Sequence, residues 1–161
     1  MNTNKLKFLV VGLGSMGKRR IRNLLYNKEN QIIGYDILPK RRSEAKLKYG
    51  IKVIDDFKKI SKEDFDAMII STLPDKHGSY IKMALRLGKH FFVEPSTNDD
   101  GYKNIFANKN SLLVKTPSCT LRFYKPIKII KNILEKQQIG KILAFQYHMG
   151  QYLPDWHPYE D

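Results

Sequence analysis

Gly12-Leu13-Gly14-Ser15-Met16-Gly17 closes the apolar run Phe8-Leu9-Val10-Val11 and opens a basic, helix-like stretch. Gly12 allows a tight turn out of a strand, Gly14 lets backbone N–H groups approach a pyrophosphate, and Gly17 lets the next helix lie close on that strand. The positive N-terminal end of the helix then faces the phosphates. The glycine spacing alone is weak, because glycine and small residues recur by chance. Its surroundings add weight: a second apolar run, Gln31-Ile32-Ile33-Gly34-Tyr35, ends on Asp36. Nineteen positions separate Gly17 from Asp36, close to the roughly 20 at which a dinucleotide fold places its ribose-binding acid. The chain reads as a nucleotide binder. The competing reading is a tight strand–helix turn with no ligand.

Strand-like and helix-like segments alternate along the chain. Strands are expected over 7–11, 31–36, 51–54, 67–72 and 90–93. Helices are expected over 15–28, 39–49 and 75–87, with a brief one around Phe57 and Ile60. Ile21, Leu24 and Leu25 form the apolar stripe of the first helix, while Ala67 to Ile70 are apolar throughout, as in a parallel strand covered on both faces. This alternation predicts an α/β fold, a Rossmann-type doubly wound parallel sheet. Beyond Glu94 the pattern loosens. A marginal helix carries Tyr102, Ile105 and Phe106, residues 111–114 read as a sixth strand, and 115–118 as a loop. Pro126 opens a helix to about Gln138, ended by Gly140, and 142–147 reads as one more strand. The expected organisation is a binding domain over 1–118, then a connecting helix packed on it and the start of a second α/β domain over 119–161.

With 161 residues the chain suits one ordinary domain. No apolar stretch approaches the roughly 20 residues that cross a bilayer, so no membrane role is expected. The single cysteine, Cys119, excludes an intramolecular disulfide and points to a reducing, cytoplasmic setting. The 29 Lys and Arg against 16 Asp and Glu give a net charge of +13, which can attract nucleic acid or anionic substrates. These residues are scattered, however, as in Lys18-Arg19-Arg20, Lys40-Arg41-Arg42 and Lys58-Lys59. A solvated helix face explains most of them, which leaves nucleic-acid binding as the minor alternative. His77, His90, His148 and His157 show no metal-ligand spacing with Cys119 or with paired acids, and no metal site is expected.

Several segments together resemble the Gfo/Idh/MocA (glucose–fructose oxidoreductase/inositol dehydrogenase) family of NAD(P)-dependent oxidoreductases. They are the glycine turn through Arg19, then Ser71-Thr72-Leu73-Pro74-Asp75-Lys76-His77, then Leu87-Gly88-Lys89-His90-Phe91-Phe92-Val93-Glu94-Pro95. Leu121-Arg122-Phe123 with Pro126, Ile139-Gly140-Lys141-Ile142, and Gly150 to Pro158 complete the set. The last segment looks most like members acting on nucleotide-linked or surface-polysaccharide sugars.

The resemblance implies a nicotinamide dinucleotide as cofactor. Gly12, Gly14, Ser15, Met16 and Gly17 would hold its pyrophosphate and Asp36 its adenosine ribose, favouring NAD. Arg41 and Arg42 lie nearby in sequence and could offset repulsion of a 2′-phosphate, so NADP stays open, although solvated helix charges are the more ordinary role for both. Thr72, Pro74 and His77 match the loop beneath the nicotinamide, and Glu94 the acid at the nicotinamide ribose. Two departures bear on catalysis. The family's Glu-Lys-Pro motif carries a lysine that orients substrate, whereas here Glu94 is followed by Pro95 and Ser96; Lys115 is the one nearby candidate to replace it. The family also continues into a substrate domain of which this chain carries only the beginning. The resemblance therefore implies the NAD(P)-binding domain of a sugar or sugar-nucleotide dehydrogenase, catalytically incomplete and with no catalytic residue assigned. A regulatory nucleotide-binding module and half of a split enzyme are the alternatives. A strand at 142–147 without a sheet to join predicts a segment, 139–161, that is either poorly ordered in the monomer or buried by self-association or by a complementing chain.

Overall fold

The computed structural model describes residues 5–96, 99–109, 111–148 and 150. They fall into two compact units, divided between Cys119 and Thr120. In the first, β1 (Phe8–Val11), β2 (Ile32–Tyr35), β3 (Lys52–Ile54), β4 (Ala67–Ile70), β5 (His90–Val93) and β6 (Lys115–Pro117) form one sheet. The order is β3-β2-β1-β4-β5-β6, with every neighbouring pair parallel. Parallel neighbours need crossovers. These are α1 (Ser15–Tyr26), α2 (Pro39–Tyr49), α3 (Pro74–Arg86) and α4 (Tyr102–Ala107), together with two short 3₁₀ turns between β3 and β4. The chain starts in the middle of the sheet, winds outward through β3, and returns to place β4 on the other side of β1. This is the expected Rossmann-like doubly wound architecture.

Alternate side chains of each strand feed two cores. Leu9, Val11, Met68, Ile70, Phe91 and Val93 pack with Ile81 and Ala84 of α3. Val10, Ile32 and Ile69 pack on the other face with Ile21 of α1 and Ala45 of α2. Leu24 and Leu25 join that second core as the stripe predicts. Both cores are apolar, and the sheet between them fixes the strand ends as a rigid rim. Beside α1, Phe8, Ile69, Phe92 and Thr116 line a crevice of about 340 Å³ along the sheet face, and none of the residues at the C-terminal ends of the strands lines it.

Register determines what the rim carries. Val11 pairs with Tyr35 and with Ile70, and Ile70 with Val93. The residues that follow each strand therefore come level: Gly12, Asp36, Ser71 and Glu94. Open α/β sheets bind ligands outside the carboxyl ends of their strands, where the winding reverses, and here the reversal lies between β1 and β4.

Three expectations are corrected. The sixth strand is not 111–114 but Lys115–Pro117. The backbone decides this: Phe91 N–H donates to the Val114 carbonyl, and Val114 N–H donates to His90 Nδ1, so pairing with β5 starts only there. Leu112, which looks like a core residue in sequence, is 99% exposed. Pro117 lacks an N–H but sits on the sheet edge, where that is tolerated. The strand expected at 142–147 is not formed either. In the second unit a 3₁₀ turn (Thr120–Phe123) leads into α5 (Lys125–Glu135), whose Ile127, Ile133 and Leu134 are half-buried. The helix stops short of Gln138, because Gln137 and then Gly140 take left-handed backbone angles. Ile142, Leu143, Phe145 and Tyr147 stay exposed, since no neighbouring strand among the described residues offers them a ladder.

Candidate cofactor site

The three glycines of the turn do different things. Gly12 has φ +87°, and a Cβ there would stand 2.5 Å from the Ser71 carbonyl oxygen. A Cβ on Gly17 would stand 1.8 Å from the Gly12 oxygen. Both are demanded by the close passage of β1, β4 and α1. Gly14 is not. Its φ is −70°, which any residue adopts, and an added Cβ would meet nothing nearer than the Arg41 guanidinium at 3.7 Å. Gly14 thus leaves space on the outer side of the turn, where a ligand would come.

That space is bordered by unclaimed donors. No side chain caps α1, and no acid lies in its first turn. The first N–H groups of a helix have no intrahelical acceptor, and the dipole favours an anion beside them. Ser15 is exposed and Met16 half-exposed above this end, while Leu13 points inward and is fully buried. The turn therefore offers backbone donors outward while its one large apolar side chain anchors it. These residues fit a pyrophosphate. Lys18 pairs with Glu44 and so links α1 to α2, and that hydrogen bond and charge hold the Glu44 carboxyl below its usual range.

Asp36 is only 4% exposed. One carboxylate oxygen accepts the Leu13 N–H at 2.7 Å and the other the Leu38 N–H at 2.9 Å. The acid thus ties the glycine turn to the start of α2. Each oxygen keeps a lone pair for a ribose hydroxyl. The two arginines that look alike in sequence separate here. Arg42 Nη1 donates to the carbonyls of Asp36 and Ile37, at 2.7 and 3.0 Å. Arg41 instead lies 3.6 Å from the Asp36 carboxylate.

Thr72 and Pro74 lie where the chain leaves β4 and enters α3, on the same rim. His77 belongs to the first turn of α3 but is buried, with 1% exposure. Its Nε2 is 2.9 Å from the Thr72 carbonyl, so the ring donates there and steadies the loop through its backbone. His77 Nδ1 and Ser71 Oγ are buried without a partner. Gly78 lets α3 approach the loop before α4, since a Cβ there would meet the Asp100 carboxylate at 2.1 Å.

Glu94 follows β5 and is buried. Both of its carboxylate oxygens are taken by Arg20 of α1, from Nε at 2.5 Å and Nη2 at 2.9 Å. Arg20 Nη2 also donates to Ser118 Oγ at 3.0 Å, and the guanidinium lies 4.7 Å from the centre of the Phe92 ring. This two-point clamp binds α1 to the ends of β5 and β6, a role that the motifs in the sequence do not assign to Arg20. A signal is nevertheless present: Gly17, Arg20, Ile21 and Leu24 share one helix face, so the arginine interrupts a buried stripe. Lys115, the candidate to replace the family's lysine, points elsewhere. Its Nζ donates to the Asn108 carbonyl and to Ser111 Oγ at 2.7 and 2.6 Å.

Among the described residues no three His, Cys, Asp or Glu gather as a metal site, and no helix is long and apolar enough to cross a membrane. Most of the aromatic segment Gly150 to Pro158, with His157, lies outside the described residues.

The family model described as an oxidoreductase family with an NAD-binding Rossmann fold (Gfo/Idh/MocA) matches residues 6–96. No protein of curated function matches in sequence. Similar solved structures include apo scyllo-inositol dehydrogenase from Lactobacillus casei, at 23% identity and TM-score 0.71, covering 88% of this chain and 44% of that one. The WlbA dehydrogenase of Bordetella pertussis, in complex with NADH and UDP-GlcNAcA, has 17% identity and TM-score 0.75 over 88% and 42% of the two chains. A 3-ketoreductase from Actinomadura kijaniata, in complex with NADP and TDP-benzene, has 18% identity and TM-score 0.69 over 83% and 43%. The chain spans under half the length of each of these structures. At such identities they show the shared fold, while the family match spans more than half of this chain, from β1 through Glu94. With its glycine turn, Asp36 and Glu94 on one rim of that sheet, the chain belongs to the Gfo/Idh/MocA oxidoreductase family through its NAD-binding Rossmann domain.

Proposed function

We propose that this chain binds NAD(H), in preference to NADP(H), as the cofactor-holding part of a dehydrogenase framework for a sugar or sugar nucleotide. The observation that carries this is the uncapped start of α1 behind Gly14, the one glycine of the turn that the fold itself does not require. Gly12, Gly14, Ser15, Met16 and Gly17 would hold the pyrophosphate through backbone N–H groups, and Asp36 would accept from the adenosine ribose. Thr72 and Pro74, steadied by His77, would lie under the nicotinamide, with Glu94 at its ribose. The bound dinucleotide supplies the hydride acceptor; the chain's contribution is orientation. The solved relatives named above with NADH and UDP-GlcNAcA, or with NADP and TDP-benzene, support the substrate class.

Little turnover is expected from the chain alone. Acid–base catalysis needs a titratable group within about 3 Å of the reacting proton. Pro95 and Ser96 offer no ammonium, and Lys115 is engaged in the loop before β6. That favours a module completed by another chain over a self-sufficient enzyme. The exposed Ile142, Leu143 and Phe145 support such an encounter, or self-association, through 139–161. The reading includes a cytoplasmic setting, supported by the single, exposed Cys119 thiol.

Titration calorimetry tests the cofactor claim. NAD and NADH should bind, and Gly14→Ala should weaken both by about tenfold or more, since charge-assisted bonds to backbone donors are lost. The same substitution should change stability by no more than about 1 kcal/mol, the cost of a poorer N-cap. If the unsubstituted protein binds neither dinucleotide, the proposal fails. A chain shortened to end at residue 138 should keep its NAD affinity and gain solubility; a large loss of affinity would place part of the cofactor site in the removed segment.

A further inference from the structure

Resting on that cofactor reading, we infer that Arg20 is a positioning residue for the nicotinamide end of the dinucleotide. It holds the Glu94 carboxylate at the angle from which the acid accepts the ribose hydroxyls there. Glu94 meets the cofactor, and Arg20 acts through it. The run Lys18-Arg19-Arg20 looks uniform in sequence, yet its side chains diverge. Lys18 pairs with Glu44 of α2, Arg19 is exposed, and Arg20 alone of the three turns inward to the end of β5.

The guanidinium is held from three sides. Its Nε and Nη2 donate to different oxygens of Glu94, at 2.5 and 2.9 Å, and Nη2 donates also to Ser118 Oγ at 3.0 Å. The centre of the Phe92 ring lies 4.7 Å from Cζ. Both charged side chains are largely buried, Arg20 at 16% exposure and Glu94 at 7%, so water competes little for the pair. A two-point bond of this kind fixes the plane of the carboxylate as well as its position. The last side-chain torsion of a glutamate is otherwise broad, so an unclamped Glu94 would have no set aim. Each carboxylate oxygen accepts at about two sites, and these bonds leave capacity for the hydroxyls of a ribose.

The same helix would seat the pyrophosphate. Gly17, three residues before Arg20, brings α1 so near β1 that an added Cβ would stand 1.8 Å from the Gly12 oxygen. One closely packed helix therefore carries both the donors for the phosphates and the arginine that sets the acid for the far end of the ligand. A lysine at this position would lack the planar fork, since an ammonium is a point charge.

Calorimetric titration of NAD, and of ADP, which lacks the nicotinamide ribose, into the full chain and its variants tests this, with a thermal melt of each protein. The unsubstituted chain should bind NAD more tightly than ADP. In Arg20→Lys the ratio of the two affinities should fall about tenfold, while ADP affinity stays within about threefold. Glu94→Gln should lower the ratio similarly. Adding Arg20→Lys to it should lower the ratio no further, because the arginine acts only through the acid. Ser118→Ala keeps the ion pair and removes one anchor of the arginine; it should lower the ratio about threefold, and it carries the test if Arg20→Lys does not fold. A clamp that served the fold alone would weaken NAD and ADP alike. An unchanged ratio in Arg20→Lys, or in Ser118→Ala should the first not fold, overturns the inference. Additive losses in the double variant overturn it too, as does equal affinity for NAD and ADP in the unsubstituted chain. Absence of binding by both ligands would remove the cofactor reading, and this inference with it.

Discussion

Arg20→Met is expected to lower the unfolding free energy by about 3–5 kcal/mol. The substitution keeps the length and apolar stem of the side chain but leaves the Glu94 carboxylate buried, with both oxygens bereft of donors. It also frees the Ser118 hydroxyl and removes the cation from the Phe92 ring. A buried ion pair contributes little when compared with apolar residues of the same shape, yet removing one partner is costly because the other charge stays behind. A companion variant exploits that asymmetry. Adding Glu94→Met to Arg20→Met should recover much of the lost stability, giving a coupling energy of at least about 1 kcal/mol in a double-mutant cycle. Urea unfolding followed by circular dichroism measures both. A loss below about 1 kcal/mol for Arg20→Met would mean that the clamp does not hold α1 to the sheet.

The second large effect is Gly17→Ala, expected to cost about 3 kcal/mol. A methyl carbon 1.8 Å from the Gly12 oxygen cannot be accommodated by rotating a side chain, because the obstacle is backbone. Helix α1 would have to lift from β1, disturbing the buried Ile21 one turn later, and overpacking of that kind costs about 1–3 kcal/mol or more. Gly50→Ala provides the comparison. Gly50 also has a left-handed φ, +65°, but a Cβ there meets nothing within 4 Å, so only the conformational cost of roughly 1–2 kcal/mol applies. If the two variants melt together, close helix–strand packing is not what Gly17 provides.

The fold is legible in the sequence wherever period and punctuation agree. Helix 39–49 and strand 90–93 begin and end as expected, because Pro39 sets the start of α2, Gly50 its end, and Gly88 ends the turn before β5. Local pattern fails where a neighbour decides the outcome. Leu112, Leu113 and Val114 look like a strand, but the ladder with β5 forms one step later, through backbone groups that have no signature in side chains. Residues 142–147 have strand chemistry and no strand beside them among the described residues, so propensity alone leaves them irregular. In the site, glycine spacing and the position of Asp36 can be read directly because both are local demands of the turn. Arg20 is hidden in the basic run Lys18-Arg19-Arg20, and the burial of His77 depends on a carbonyl five residues earlier. The roles of Arg41 and Arg42 separate only through the direction of each guanidinium.

The central claim is that a nicotinamide dinucleotide sits with its pyrophosphate on the start of α1. Backbone-amide NMR of the folded chain during titration with NAD measures this residue by residue. Saturable shifts should appear at Gly14, Ser15, Met16 and Gly17, then at Asp36 to Leu38 and at Thr72, with little change in α4 on the far side of α3. A folded protein whose amides at 14–17 stay unmoved at saturating NAD would contradict the account.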